Sequence, residues 1–188
     1  VFMVDPADVT ADMRRKAKEV NFGILYGIGA FGLKIRLGIA QNHAKEIIDT
    51  YFNTFKRVKE FMDSSIENAR TKGYAETLTG RRRYLTNINS KNFAVKQFEE
   101  RVAINMPIQG SAADMIKLAM ISVDKALKEG GYKTRMILQV HDELLFDAPK
   151  NELETVTPLI KSLMENALPL NVPVMVESGY GVNWLDAH

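Results

Sequence analysis

Arg14, Lys18, Phe22 and Tyr26 recur at a spacing of four in the run Arg14-Arg15-Lys16-Ala17-Lys18-Glu19-Val20-Asn21-Phe22-Gly23-Ile24-Leu25-Tyr26-Gly27. With about 3.6 residues per helical turn, side chains four apart lie nearly above one another. As a helix, this segment aligns two cations and two aromatic rings in one slowly turning stripe. Such a stripe complements a nucleotide, because cations pair with phosphates and rings stack on a base or sugar. The same pattern also suits a plain amphipathic helix with a solvated basic end and an aromatic core end.

Periodicity extends the helical reading. Residues 7–26 are predicted as one helix, with Thr10 or Asp12 available as first-turn acceptors. Gly27, Gly29, Gly32 and Gly38 punctuate a loop and a short helix. Between Asn42 and about Thr71, Ile47, Ile48, Tyr51, Phe52, Phe55, Val58, Met62 and Ile66 recur at three and four, the mark of a long amphipathic helix broken once. Residues 74–78 and 82–85 flank Thr79-Gly80 and suggest a hairpin. A helix over 93–105 is expected to end at Pro107, and a second over 111–129 closes on Gly130-Gly131. Two apolar strands, 136–140 and 144–148, flank a three-residue polar tip. A helix over 152–168, kinked or started at Pro158, and a last strand over 172–178 complete the chain. The expected class is α+β: a helical front, then helices with a small antiparallel sheet packed on them.

Composition sets limits without choosing a function. The 188 residues suffice for a sizeable core. Cys is absent, which excludes disulfides and thiolate metal sites and is compatible with the cytoplasm. No apolar run is long enough for a membrane span. Net charge is only +2, from 25 Lys and Arg against 23 Asp and Glu. Distribution matters more, since Arg14, Arg15, Lys16 and Lys18 cluster, as do Arg81, Arg82 and Arg83.

Two further groups carry chemistry. His141, Asp142 and Glu143 sit between Met136-Ile137-Leu138-Gln139-Val140 and Leu144-Leu145-Phe146. A plain hairpin favours Gly, Asn or Asp at its turn rather than three ionisable side chains in a row. Asp142 and Glu143 offer hard oxygens of the kind Mg²⁺ takes, one or two carboxylates beside substrate phosphates; a solvated turn is the alternative. Arg101, Asn105 and Gln109 repeat the spacing of four. As donors they can meet minor-groove acceptors, which test pair shape without reading sequence; a polar helix face has the same spacing.

These motifs, in this order and covering most of positions 10–188, resemble family A DNA polymerases, typified by bacterial DNA polymerase I. The run from Arg14 fits RxxxKxxxFGxxYG, the run from Arg101 fits RxxxNxPxQGxAAD, and Gln139-Val140-His141-Asp142-Glu143 matches the palm motif. The resemblance implies a fingers portion over 1–72 and a C-terminal palm portion over 73–188. It implies that Arg14 and Lys18 hold the triphosphate of an incoming dNTP, with Lys18 nearer the reacting phosphate. Phe22 would pack on its sugar and base, and Tyr26 would lie by the templating base. Phe rather than Tyr at position 22 implies stronger discrimination against dideoxynucleotides. Arg101 and Gln109 would contact the primer–template minor groove, with Asn105 on the template side and His141 at the primer end. Arg81, Arg82 and Arg83 would lie near template phosphates, although a solvated loop fits them equally. Asp114 reads as structural, a first-turn carboxylate favoured by the helix dipole.

By the same resemblance, Asp142 binds catalytic Mg²⁺ and Glu143 supports the site, in a two-metal addition of deoxynucleotides to a primer 3′-end. The second aspartate belongs to a segment upstream of the fingers helix, and Asp5, Asp8 and Asp12 do not sit in such a strand. Upstream palm and thumb segments of a parent chain are therefore expected partners. Val1-Phe2-Met3-Val4 reads as a cut front, whereas 183–188 resembles the family's natural end. The piece alone is expected not to extend primers. Two other readings stay open: a non-catalytic DNA or nucleotide-binding module, and a metal-dependent phosphohydrolase in which His141, Asp142 and Glu143 activate water. The latter lacks further ligands at useful spacing, since His43 and His188 lie in unrelated segments.

Overall fold

A computed structural model describes residues 4–187 as two compact units, 1–111 and 112–188. The cut front and the natural end were read partly from Val1, Phe2, Met3 and His188, which lie outside the described residues.

The first unit opens with a 3₁₀ turn at Pro6–Asp8 and helix α1, Ala11–Leu25. Thr10 caps α1 by accepting the Met13 N–H through Oγ1 at 3.2 Å, so the helix starts four residues later than periodicity suggested. Helices α2 (Ala30–Leu37), α3 (Gln41–Thr54) and α4 (Lys56–Lys72) follow. The expected break in the long amphipathic segment falls at Phe55, whose φ of −110° and ψ of 61° leave the helical region. Val20, Ile24, Leu33, Ala44 and Tyr51 form the core beneath α1, α2 and α3. Fully burying an aliphatic side chain stabilises by about 1.5–3 kcal/mol, so Val20 and Ile24 fix which face of α1 turns inward. The Tyr51 hydroxyl donates to Asn21 Oδ1 at 2.8 Å and ties α3 to α1.

Strands β1 (Tyr74–Glu76) and β2 (Arg82–Tyr84) pair antiparallel, with Ala75 opposite Arg83. Helix α5, Phe93–Asn105, packs on α4 and β1 through Ala69, Ala75, Leu85, Ile88 and Ala103. Asn92 caps it, accepting the Ala94 and Val95 N–H groups. Helix α5 ends at Asn105 as expected, but the chain stays helical through Pro107. A π-helical turn, Met106–Gly110, runs directly into α6, Ser111–Glu129. Pro107 removes one N–H from the α ladder, and the wider turn carries the chain past that gap.

The second unit holds the rest of α6, β3 (Arg135–Val140), β4 (Glu143–Asp147) and α7 (Leu153–Glu165), followed by the short α8 (Trp184–Ala187). Val123, Leu127, Val156 and Ile160 are its core. Pro158 lies inside α7 rather than at its start. Glu152 joins β3 to the α7 entry by accepting the Lys133 and Thr134 N–H groups, each at 2.9 Å. These bonds hold its carboxyl below the ordinary range, the Lys133 N–H contributing most. The expected strand over 172–178 does not form. A strand needs a partner, and both sheets of the described residues contain two strands each, β1–β2 and β3–β4. The class is α+β, as predicted. No described helix is long and apolar enough to cross a membrane.

Candidate functional site

The stripe exists as a surface. Positions 20 and 24 bury themselves, so Arg14, Lys18, Phe22 and Tyr26 fall on the opposite, exposed face of α1 and its end. The Phe22 and Tyr26 rings stack with centroids 6.2 Å apart and planes inclined by 20°. They remain 49% and 39% exposed, which excludes the reading of an aromatic core end.

Charge is partitioned along the same helix. Arg15 bonds Asp12 and Glu19, both at 2.7 Å, and Lys16 bonds Asp12 at 2.8 Å. The Lys16 ammonium, then the Arg15 guanidinium, hold the Asp12 carboxyl below the usual carboxylate range, and Asp12 raises Arg15 in return. Among the described residues neither Arg14 nor Lys18 forms an ion pair. The two cations of the stripe are therefore available to an external anion, while their neighbours are neutralised within the helix.

Gly27 ends the stripe and meets the next motif. Its φ of +77° is a conformation that favours glycine, and a Cβ there would lie 3.0 Å from Arg101 Cγ. The tight turn after Tyr26 thus lets the Arg101 stem pass. Arg101 and Gln109 are exposed, whereas Asn105 is half-buried where α5 meets the π turn. Among the described residues the Asn105 Oδ1 is buried with no hydrogen-bond partner, an uncommon state.

The three arginines are not equivalent. Arg81 donates from Nη2 to the Gly110 carbonyl at 3.0 Å. Arg82 bonds Glu76 at 2.6 Å and lies 4.5 Å over the Tyr74 ring, and the Glu76 carboxylate raises its pKa most. Among the described residues, no ion pair or side-chain hydrogen bond engages Arg83.

In the second unit the polar tip is shorter than predicted. His141 and Asp142 make the turn, while Glu143 opens β4 opposite Val140. His141 adopts φ 53°, the left-handed region rarely taken by side-chain-bearing residues, and the Gln139 amide donates to its carbonyl. A positive φ is what a two-residue hairpin turn between paired Val140 and Glu143 demands. All three side chains are exposed. Asp142 and Glu143 are adjacent exposed carboxylates, hard-oxygen donors of the kind Mg²⁺ takes. Among the described residues no group of three or more His, Cys, Asp or Glu side chains converges on one point. Asp114 lies buried in the first turn of α6, consistent with a structural role, and His43 is exposed.

Among the described residues, α1 and its end thus present two exposed cations without ion pairs in line with two stacked, part-exposed rings. Residues 1–186 match the model of DNA polymerase family A, and the chain belongs to that family. It is 54% identical over 182 residues to the DNA polymerase I of Streptococcus pneumoniae serotype 4, covering 97% of this chain and 21% of that protein. It is 51% identical over 187 residues to the DNA polymerase I of Geobacillus stearothermophilus, covering all of this chain and 21% of that protein. The chain thus spans about a fifth of these relatives' length. Among solved structures, the POL domain of Pol1 from M. smegmatis, in complex with DNA primer-template and dNTP, superposes with a TM-score of 0.96 at 44% identity. That match covers 99% of this chain and 33% of the other.

Sequence reasoning missed the contact of Gly27 with Arg101 and the clasp joining Thr77, Arg81, Gly110 and Ser111. Glycines at 27 and 110 were the available signal, since each marks a close approach only once its neighbour is known.

Proposed function

We propose that this chain is part of a DNA-directed DNA polymerase that adds deoxynucleotides to a primer 3′-end under template direction. One observation carries the reading: among the described residues Arg14 and Lys18 are exposed and free of ion pairs beside the Phe22–Tyr26 stack, while Arg15 and Lys16 are spent within α1. Arg14 and Lys18 pair with the dNTP triphosphate and orient it for in-line attack, with negative charge growing where Lys18 points. Phe22 packs on the sugar and base, and Tyr26 borders the templating base. Arg101, Asn105 and Gln109 meet the minor groove of the primer–template, and His141 meets the primer end. Asp142, supported by Glu143, is the residue that would hold Mg²⁺. Bound there, Mg²⁺ supplies Lewis-acid charge at the phosphate oxygens.

Residues 1–72 serve as the fingers portion and 73–188 as the palm portion, in a cytoplasmic enzyme whose further palm and thumb segments lie on the same parent chain. The compact units follow packing, whereas this division follows which ligand each part meets. The chain by itself binds nucleotide or primer–template without extending it, because the resemblance assigns the second metal-binding aspartate to a segment upstream of the fingers helix. A phosphohydrolase reading lacks a converging third ligand among the described residues.

Primer extension with the full-length protein tests the proposal. Asp142→Ala should abolish turnover while leaving the Kd for primer–template within about twofold, since a metal-binding carboxylate adds little to sequence-independent phosphate contact. Near-normal turnover removes Asp142 from the metal role.

A further inference from the structure

We propose that Arg81 is a positioning residue for Gln109, holding the π-helical turn rather than gripping template phosphate. The bend between β1 and β2 clasps that turn from both sides. Arg81 Nη2 donates to the Gly110 carbonyl at 3.0 Å. Its own backbone is fixed, the Arg81 N–H donating to Thr77 Oγ1 at 3.1 Å and its carbonyl accepting the Thr77 N–H at 2.9 Å. Thr77 is buried, and a Cβ on Gly110 would lie 2.6 Å from Thr77 Cγ2, so the two backbones approach as closely as glycine allows. From the other side, the Leu78 N–H donates to Ser111 Oγ at 2.9 Å, and that hydroxyl donates to the Pro107 carbonyl. Pro107, Gly110 and Ser111 are held. Gln109 sits between them with its side chain exposed. A π turn lacks the regular α ladder, so an outside clasp decides where its side chains point. Small misplacement of a recognising group forfeits most of its effect.

The inference rests on reading Gln109 as a minor-groove donor. It is tested in the full-length polymerase by single-turnover extension of primers ending in guanine or in 3-deazaguanine, which lacks the groove acceptor. Wild type should slow on the analogue by about fivefold to tenfold, the effect of losing one neutral hydrogen bond. Gln109→Ala should abolish that sensitivity. Arg81→Ala should reduce it to less than about twofold, and the double variant should show no further loss, as expected for groups acting as a unit. Arg81→Lys, which keeps one donor, should recover part of it. Thr77→Val, which removes the hydroxyl at constant shape, supplies a second route should Arg81→Ala fail to fold. Primer–template affinity should keep its wild-type salt slope in every variant. Retained sensitivity in Arg81→Ala, with sensitivity lost in Gln109→Ala, overturns the positioning role alone. A salt slope lowered by about 0.9 in Arg81→Ala also overturns it, because that is the signature of one phosphate contact. Sensitivity retained in Gln109→Ala overturns the groove reading and this inference with it.

Discussion

At the scale of residues, function follows from which charges are already satisfied. Four cations crowd the start of α1, and local acids neutralise Arg15 and Lys16. Exposed pairs of that kind add little to the stability of a helix. Their larger consequence is selection, since they leave Arg14 and Lys18 as the cations open to a ligand. Gly27 makes a comparable choice for the backbone. Gly27→Ala should destabilise the turn by about 1–3 kcal/mol through its left-handed conformation, before any clash with Arg101. Faster amide exchange through the end of α1 in the full-length protein would show it, and unchanged protection would contradict it. The stripe was legible in the sequence because a spacing of four survives any helix boundary. The availability of its cations was not, because Asp12 and Glu19 could be assigned to Arg15 only with side chains in place.

At the scale of elements, local signals predicted what neighbouring residues decide and failed where distant partners decide. One break in the long amphipathic segment, a helix over 93–105 and a short helix among the glycines between 27 and 38 were visible in periodicity and glycine placement. The end of α5 at Asn105 was legible from Pro107, whereas the π turn that carries the chain on into α6 was not, since no local signal marks it. The 172–178 segment has strand composition, yet composition cannot supply a partner. The inward face of α1 yields a prediction here. Ile24→Ala should cost about 2–5 kcal/mol and raise the KM for dNTP more than the Kd for primer–template, because it loosens the helix bearing Arg14 and Lys18. An equal loss of both would contradict that link. The Glu152 clasp gives a pH dependence. Its folded pKa is lowered, so its contribution is present at neutral pH and is lost as pH falls through that lowered value. Glu152→Gln should therefore reduce Thr134 amide protection relative to wild type at neutral pH, with the gap closing on acidification; a gap that ignores pH would contradict the carboxylate's role.

At the scale of the whole molecule, two units divide the chemistry. In the proposed reading the first, 1–111, carries the nucleotide stripe and the groove donors, and the second, 112–188, carries His141, Asp142 and Glu143. The His141 turn and the α1 cations belong to different units. That separation makes the central claim directly measurable. Titrating dNTP against the full-length protein bound to primer–template should give a Kd raised at least about tenfold by Lys18→Ala, the loss of a charge-assisted contact. Arg15→Ala, which removes the same charge three positions away, should stay within about twofold. Equal effects of the two substitutions, or none from Lys18→Ala, would contradict the account.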